Sequence, residues 1–248
     1  MTNSTITITV GDQAENHVGM QKIGELSDNG FDLNDLEKIA TNFENNKLIE
    51  LKNYCNDKFN PEPAYVLVLE NGLSKYCNPD DFYNEQLNLK WDNKALMYGR
   101  VVNKYARYNL CFGNISQEPD YESGKGRIIN LNTVPILNNV MNEINLLIPG
   151  KTNNLVAEGN YYYDINKCGI GYHGDAERRK VIGIRVGKSL PLVFQWYNNN
   201  EKISESIIIN LNHGDMYIMS EKATGYDWKK KKISTLRHAA GCSKYTGI

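Results

Sequence analysis

The chain has 248 residues, with 28 Lys and Arg against 29 Asp and Glu and a formal net charge of −1. Its 41% hydrophobic and 10% aromatic residues are typical of a folded globular protein, which excludes wholesale disorder, collagen and coiled coil. The longest apolar runs fall far short of the roughly 20 residues that a membrane helix needs, and the first residues lack the pattern of a secretory signal. We therefore expect a soluble intracellular protein, cytoplasmic or nuclear, that is neither secreted nor associated with a membrane.

The first part of the sequence predicts helices followed by a strand. Residues 1–30 are polar and show no sustained periodicity, so we expect a partly ordered entry segment. Behind Asp32, a plausible N-cap, apolar residues recur at helical spacing and predict one or two helices over residues 32–58. The apolar run Ala64–Glu70 predicts a strand, and the Asn71-Gly72 pair that follows it predicts a hairpin turn.

The second part of the sequence predicts a mainly β core with one helix. Residues 95–113 alternate well enough for one strand or two, and residues 114–127 are typical of a loop. Residues 134–148 carry apolar side chains at helical spacing and predict a helix packed on a sheet. We assign residues 1–94 to an N-terminal helical and β extension and residues 95–248 to the core, in one compact unit. Further strands are predicted at 154–163, 169–173, 180–187, 190–197, 203–210, 215–219 and 232–238.

These elements define the expected fold class. The chain is an α+β protein, mainly β, whose core is an antiparallel sandwich or barrel. The N-terminal helices and strands are expected to pack on its sheet.

The strongest candidate for chemistry is a His-x-Asp pair on a predicted strand. His173 and Asp175 lie two residues apart, and side chains at i and i+2 of a strand point to the same face. A second imidazole from a later strand would complete two nitrogens and one carboxylate on one face of an octahedron, the arrangement of non-haem Fe(II) oxygenases. Two histidines are candidates: His213 in a tight turn, and His238 at the end of the alternating strand 233–238. We favour His238 because its strand can reach back into the barrel.

The residues around this pair resemble the Fe(II)/2-oxoglutarate oxygenases of the AlkB type. Gly169–Asp175 is similar to the family's Gly-x-x-x-His-x-Asp strand, and Val181–Trp196 resembles the strand pair that follows it. Leu211–Met219 resembles the Leu-x-His-Gly-Asp segment, whose histidine is structural in that family, and this supports His238 as the third ligand. The resemblance covers about residues 95–240 and is loose before them.

The resemblance implies a fold, a reaction and a set of cofactors. The fold would be a double-stranded β-helix, or jelly-roll, that holds Fe(II) at His173, Asp175 and His238. The cosubstrates would be 2-oxoglutarate and O₂. The enzyme would be a dioxygenase that hydroxylates or demethylates a nucleobase, or a related nucleic-acid substrate, and releases succinate and CO₂.

The cosubstrate contacts that the resemblance implies are matched only in part. Asn160–Tyr163 resembles the Asn-x-Tyr strand that touches 2-oxoglutarate, with Tyr161 and Tyr163 as the candidate contacts. The family places an Arg beyond the third ligand, where its planar fork pairs with the C5 carboxylate. The residues after His238 contain no Arg. The candidates for this cation are therefore Arg185 and Lys244, and we place Arg185 first.

Two segments indicate a nucleic-acid substrate. The residues from Arg107 to Gly126 resemble the lid over the substrate nucleotide in the AlkB family, and Trp228–Lys232 is a basic stretch just before the strand of His238. Cations there are placed to hold phosphates. An oxygenase of proteins or small molecules, a catalytically silent metal-binding barrel and a cupin-like module are the alternatives. The candidate lid residues are Arg107, Tyr108, Phe112 and Tyr121, and the candidate phosphate contacts are Lys229, Lys230, Lys231 and Lys232.

Overall fold

The computed structural model describes residues 3–248 and shows a mainly β protein. None of the described helices is long and apolar enough to cross a membrane. The strands are β1 (Thr5–Gly11), β2 (Gln13–Glu15), β3 (Lys22–Gly24), β4 (Asn46–Glu50), β5 (Tyr65–Leu69), β6 (Lys94–Met97), β7 (Arg100–Asn103), β8 (Tyr108–Gly113), β9 (Ile128–Asn130), β10 (Val156–Tyr162), β11 (Gly169–His173), β12 (Val181–Gly187), β13 (Leu190–Asn198), β14 (Glu201–Lys202), β15 (Ile207–Leu211), β16 (Met216–Met219) and β17 (Ser234–Gly241). The α-helices are α1 (Leu33–Ala40), α2 (Pro79–Leu87), α3 (Pro135–Asn145), α4 (Glu221–Thr224) and α5 (Ser243–Thr246), and 3-10 turns lie at Leu51–Tyr54, Asp57–Phe59, Gly72–Lys75 and Leu131–Thr133.

The strands form two main sheets and two separate hairpins. The larger sheet has the order β4-β5-β16-β12-β1-β10-β8-β9, and in the smaller sheet β17 lies between β11 and β13, with β14 and β15 both paired to β13. β1 lies in the middle of the larger sheet, where Thr7 is opposite Asn160 on β10 and Arg185 on β12. Strands from both sides of residue 94 share this sheet.

Apolar side chains cover both faces of the larger sheet. On one face α1, α2 and α3 pack through residues such as Leu36 and Phe82 against Ile184 and its neighbours. On the other face the smaller sheet packs through Trp196 against Val66 and adjacent side chains. The fold is therefore a two-sheet sandwich backed by helices. A cavity lies between the two sheets, beside the apolar side chains around Trp196.

Most elements predicted after residue 130 are confirmed. α3 lies inside the predicted helix 134–148, and each predicted strand segment beyond residue 150 overlaps an observed strand. Asp32 is also confirmed as the N-cap of α1, because its side chain accepts from the Asp35 backbone N–H at 3.0 Å and the Asp35 side chain accepts from the Asp32 N–H at 3.0 Å. This reciprocal pair is a capping box.

Three predictions for the N-terminal part are wrong. The entry segment contains β1, a buried central strand whose Ile6, Ile8 and Val10 face the helices. The second half of the predicted helical region is β4, which pairs with β5. The Asn71-Gly72 pair makes no hairpin, because β5 pairs with β4 and β16, and Asn71 instead begins a 3-10 turn at a positive φ of 51°.

Residues 95–113 form three strands where one or two were predicted. β6 and β7 make a hairpin whose tight turn is Tyr98-Gly99, with positive φ angles of 51° and 73°. β8 then begins at Tyr108 and enters the larger sheet beside β10. The predicted loop 114–127 connects β8 and β9.

Candidate metal centre

Two neighbouring strands of the smaller sheet bring the His-x-Asp pair and His238 together. β11 and β17 run antiparallel, and His173 at the end of β11 lies directly opposite His238. Their imidazole centroids are 4.5 Å apart, as expected for opposed side chains on one face of a sheet. The Oδ1 atom of Asp175 lies 3.6 Å from Nε2 of each histidine. One ligand atom from each residue lies within 4.8 Å of the others, so the three can hold a single metal ion.

The segment after β11 turns the carboxylate of Asp175 toward the histidines. The Asp175 backbone N–H donates to the Thr224 carbonyl at 2.9 Å. Gly174 packs against the Gly225 backbone so closely that a Cβ at this position would collide with it. The second carboxylate oxygen, Oδ2, lies 3.8 Å from Nε of Arg178. One oxygen of Asp175 thus faces the histidines and the other faces a cation, which favours metal binding through Oδ1 alone.

Arg178 is buried among three carboxylates. Its Nη2 donates to Glu158 at 2.6 Å and to Glu177 at 2.9 Å, and Asp175 is the third acidic neighbour. Burial alone would lower the pKa of Arg178, but the charges of these carboxylates outweigh it and raise the pKa. Arg178 therefore stays charged and fixes the orientation of the Asp175 side chain.

His173 and Asp175 have the protonation states that a metal site requires. Burial lowers the pKa of His173 to about 3, and the neighbouring His238 acts in the same direction. Burial would raise the pKa of Asp175, but His238 and Arg178 outweigh it and hold this pKa well below its usual range. In neutral His173 the Nδ1–H donates to the Gly171 carbonyl at 2.8 Å, which leaves the lone pair on Nε2. A neutral imidazole and an ionised carboxylate are the forms that bind divalent metals.

The three residues line a cavity of ≈ 140 Å³ that also contains Arg185. Arg185 is only 1% exposed, and its Nη1 donates to the Leu190 carbonyl at 3.2 Å while its Nε has no partner among the described atoms. Tyr162 and Tyr217 line the same cavity. In the described part of the chain no carboxylate forms an ion pair with Arg185, so the cavity contains a buried cation without a paired carboxylate. Lys244, the other predicted cation, is exposed on α5 and does not line the cavity.

The strand β10 presents different residues to the cavity from those predicted. Asn160 and Tyr162 line the cavity, because side chains two apart on a strand share a face. Tyr161 points to the opposite face, where its ring packs against Tyr108 at 6.2 Å. Tyr163 lies beyond the strand and stacks on Tyr108 at 4.6 Å. Tyr161 and Tyr163, the predicted cosubstrate contacts, therefore do not line the cavity, whereas Asn160 and Tyr162 do.

Of the four predicted lid residues, Arg107 lines the cavity and the other three do not. The Nε of Arg107 donates to Oδ1 of Asn160 at 2.7 Å, which holds the guanidinium beside the cavity. Phe112 is wholly buried in the core beneath the helices, because β8 is an inner strand of the larger sheet. The Tyr108 ring packs against Tyr161, on the face of β10 that points away from the cavity. Tyr121 lies in the segment between β8 and β9.

The predicted basic stretch lies next to the cavity. Trp228 lines the cavity, and the four lysines of Lys229–Lys232 follow it on an exposed segment that leads into β17. The stretch is thus close in space, as well as in sequence, to the metal group, by which we mean His173, Asp175 and His238.

His213, the alternative third ligand, lies elsewhere and supports the fold. Its Nδ1 accepts from the Gly187 N–H at 2.9 Å, and its Nε2 lies 3.6 Å from Oδ1 of Asp80. Its ring packs edge-on against Tyr83 of α2. His213 therefore joins α2 to the end of β12 and is not a member of the metal group.

A turn near the N-terminus covers one side of the cavity, and the sequence did not predict it. Glu15, Asn16, His17 and Val18 line the cavity, and Val18 is 80% exposed, so this side faces solvent. The Gly19 N–H donates to the Glu15 carboxylate at 2.8 Å and closes the turn. The sequence of this segment has no periodic pattern that would predict a turn. Its one indication is Gly19, which adopts a positive φ of 88°.

The comparisons with known proteins identify one viral relative. No family model matches the chain. An uncharacterized protein of Acanthamoeba polyphaga mimivirus is 52% identical, with 97% of each chain covered. The chain belongs to the same family as this mimivirus protein. The name of that viral relative states no activity.

Proposed function

We propose that this protein is an Fe(II)- and 2-oxoglutarate-dependent dioxygenase of AlkB-like type that oxidises a nucleobase in nucleic acid. The observation that carries the proposal is one cavity that contains two imidazoles, a carboxylate and a buried arginine with no ion-pair partner in the described chain. The metal group alone fits many proteins. The arginine adds a place for an anionic cosubstrate within the same cavity.

The ligand set fits Fe(II). Two imidazole nitrogens and one carboxylate oxygen occupy one face of an octahedron and leave positions open for other ligands. His173 and His238 are held by the pairing of β11 with β17, and Asp175 is held by Arg178. When bound there, Fe(II) supplies the chemistry that activates O₂ and oxidises a substrate C–H bond as 2-oxoglutarate becomes succinate and CO₂. His173 and His238 lie on the smaller sheet of a two-sheet sandwich. This position is compatible with the double-stranded β-helix that the resemblance implies.

Arg185 is the group that would bind the C5 carboxylate of 2-oxoglutarate. Its guanidinium presents a planar fork of donors that matches a carboxylate. Thr7, opposite Arg185 on β1, also lines the cavity, and its buried hydroxyl has no partner among the described residues. Together with Tyr162 and Tyr217, these groups form a polar end of the cavity that an anionic ligand would satisfy.

The side of the cavity beside the basic stretch suits a nucleotide. Arg107 and Trp228 both line the cavity, which provides a cation and an aromatic ring near the metal group. A base must leave its stack before an enzyme can oxidise it, and aromatic rings stabilise it in that state. The exposed lysines of Lys229–Lys232 lie where they would hold the adjoining phosphates.

The first test is succinate release by the purified chain with Fe(II), 2-oxoglutarate, ascorbate and air. We expect release, and we expect a methylated single-stranded oligonucleotide to increase it. His173→Ala and Asp175→Ala should each abolish release while the circular dichroism spectrum is retained. His213→Ala should lower the melting temperature more than it lowers iron affinity. Full release by either of the first two variants would contradict the metal assignment.

The second test measures 2-oxoglutarate binding to Co(II)-loaded protein by calorimetry. Truncating one partner of a buried charge pair costs about 2 kcal/mol or more, so Arg185→Met should weaken binding by about 30-fold or more. Arg185→Lys keeps the charge without the fork and should weaken binding less. Lys244→Met is the matched control and should change nothing. Unchanged binding by a folded Arg185→Met protein would remove Arg185 from the cosubstrate site.

The two tests also separate the alternatives. Iron binding without succinate release would favour a catalytically silent barrel. Release that no oligonucleotide stimulates would keep the oxygenase and indicate a protein or a small molecule as the substrate.

A further inference from the structure

The outer face of the smaller sheet carries a row of cations and aromatic rings in contact with one another. Tyr172 and Arg237 directly precede His173 and His238, and because side chains alternate along a strand they point away from the cavity. We call the row the outer ladder. Its members in order are Lys202, Tyr172, Tyr197, Arg237, Trp228 and Lys229.

Short contacts connect each member of the outer ladder to the next. Lys202 Nζ lies 5.4 Å from the Tyr172 ring centre, and the Tyr172 and Tyr197 rings are 6.2 Å apart. Arg237 Cζ lies 4.0 Å from the centre of the Tyr197 ring and 5.2 Å from that of Trp228. Beyond this point Lys229 Nζ lies 5.7 Å from the Trp228 ring centre.

The rings hold the cations in place without neutralising them. A cation above an aromatic face is attracted to it yet keeps its full charge. In the described part of the chain, Lys202, Arg237 and Lys229–Lys232 form no ion pair with a carboxylate. Arg237 Nη2 donates to the neutral amide of Asn200 at 2.7 Å. Positions fixed in advance lower the entropy cost of binding, so the row is prepared for a partner with many negative charges.

The outer ladder is continuous with the metal cavity through Trp228. This residue contacts Arg237 and Lys229 on the outside and also lines the cavity that contains the metal group. A linear partner that follows the row therefore reaches Trp228, one of the residues that line the cavity.

We propose that the outer ladder and Lys230–Lys232 bind the phosphate backbone of single-stranded nucleic acid and direct one nucleotide toward the metal cavity. The fate of that nucleotide rests on the proposed function, but the binding itself requires no metal. The row is one cation wide, which suits one backbone. A nucleotide of an unpaired strand also enters the cavity without the cost of breaking a base pair.

The experiment measures the binding of fluorescent oligothymidylate and oligouridylate to metal-free protein by anisotropy, at several salt concentrations. The variant replaces Lys229, Lys230, Lys231 and Lys232 by Gln. Each phosphate contact on a single strand contributes about 0.7 to the slope of log affinity against log salt, so this variant should lower the slope by about 3. Its affinity near physiological salt should fall by about tenfold or more.

The matched control makes the same charge change away from the outer ladder. Four exposed lysines on other elements, Lys38, Lys47, Lys58 and Lys94, are replaced by Gln, and this variant should bind like the unmodified protein. Equal losses in the two variants would mean that only net charge matters and would overturn the proposal. Arg237→Gln should also weaken binding, because it removes the cation between two rings of the row.

Three further outcomes decide the proposal. Tighter binding of a duplex of the same length, or equal binding of polyglutamate or heparin, would overturn the assignment to single-stranded nucleic acid. Oligonucleotide binding through the four lysines without any succinate release would support the surface and remove the proposed function. Succinate release without oligonucleotide binding would overturn the surface and keep only an oxygenase of a protein or a small molecule.

Discussion

At the scale of single residues, Arg178 determines how Asp175 is presented to a metal. Arg178→Met removes the cation beside Oδ2 and leaves Glu158 and Glu177 next to the ligand carboxylate. Groups that orient metal ligands typically contribute about 10- to 100-fold to metal affinity. We expect a loss of this size in a Co(II) titration of the Arg178→Met protein.

A second variant separates this effect from loss of folding. Breaking a buried ion pair costs about 3–5 kcal/mol because it leaves a charge unpaired, so Arg178→Met alone should also lower the free energy of unfolding. Adding Glu158→Gln removes one of the three carboxylates left without their cation and should restore part of the stability, but not the metal affinity. Normal Co(II) affinity in the double variant would show that Arg178 has no role in orienting Asp175.

Lys104 gives the protein a pH dependence that can be measured. Its Nζ donates to Asn109 at 3.0 Å in a buried position, and burial lowers its pKa to about 8, with Arg107 acting in the same direction and Asp92 and Glu158 opposing it. The unfolded value is about 10.4, so between these two pH values the unfolded state binds more protons. Lys104 therefore lowers the free energy of unfolding at lower pH, and this destabilisation disappears as the pH rises through this window.

The measurement compares urea unfolding of the unmodified protein and Lys104→Met at pH 7, 8, 9 and 10. The free energy of unfolding of the unmodified protein should rise relative to that of the variant as pH increases from 8 to 10. Taking the difference removes the contributions of buried thiols and tyrosines, which titrate in the same range. A constant difference would mean that Lys104 titrates normally in the folded protein.

The sequence predicted the residues of the metal group but not the surroundings that make it specific. A His-x-Asp pair on one strand is visible in the sequence, and Arg185 was expected as the buried cation. The resemblance implies Tyr161 and Tyr163 as contacts, but a sequence alone does not say which alternate residues of a strand face inward, and it is Tyr162 that lines the cavity. The turn at His17 was missed because its place over the cavity depends on contacts with distant segments.

At the scale of secondary-structure elements, the capping box of α1 can be tested directly. Asp32→Ala should lower the free energy of unfolding by about 1 kcal/mol, while Asp32→Asn, which also caps well, should cost much less. The Asp35 backbone N–H lowers the pKa of Asp32, and the Lys151 ammonium adds to this. The ionised Asp32 therefore stabilises the fold above its unfolded pKa of about 3.9, and this contribution is lost as the pH falls through the lower folded value. Urea unfolding at pH 7 and pH 3 measures both effects, and a larger deficit of Asp32→Ala at pH 3 would contradict them.

The sequence predicts an element well where its local pattern fits only a helix or only a strand. It predicts an element poorly where pairing with a distant segment determines which of the two forms. Strands β11 and β12 have apolar or alternating residues bounded by turn residues, so their limits were visible. β4 has Leu48 at a spacing that also fits a helix, and its strand state follows from pairing with β5. β1 alternates threonine with isoleucine, but its central position depends on β10 and β12, which lie far along the chain.

At the scale of the whole molecule, β1 makes the N-terminal and C-terminal parts interdependent. Its Ile8 is fully buried between the larger sheet and the helices, while Thr7 on its other face lines the cavity with residues from both sheets. Removing this strand would leave β10 and β12 without a partner on one edge. The cavity and the helical core therefore depend on the same strand.

This topology predicts one cooperative unfolding transition for the two parts. Urea curves from far-ultraviolet circular dichroism and from tryptophan fluorescence should coincide, because Trp91 and Trp196 report on opposite sides of the larger sheet. Ile8→Ala should lower the free energy of unfolding by about 2–5 kcal/mol and shift both curves together. Ile208→Ala, at a site that is 48% exposed, is the control and should change stability by about 0.5 kcal/mol or less. Two transitions, one of them unchanged in Ile8→Ala, would instead mean that residues 1–94 fold separately. A strand shared by both parts cannot be weakened for one of them alone.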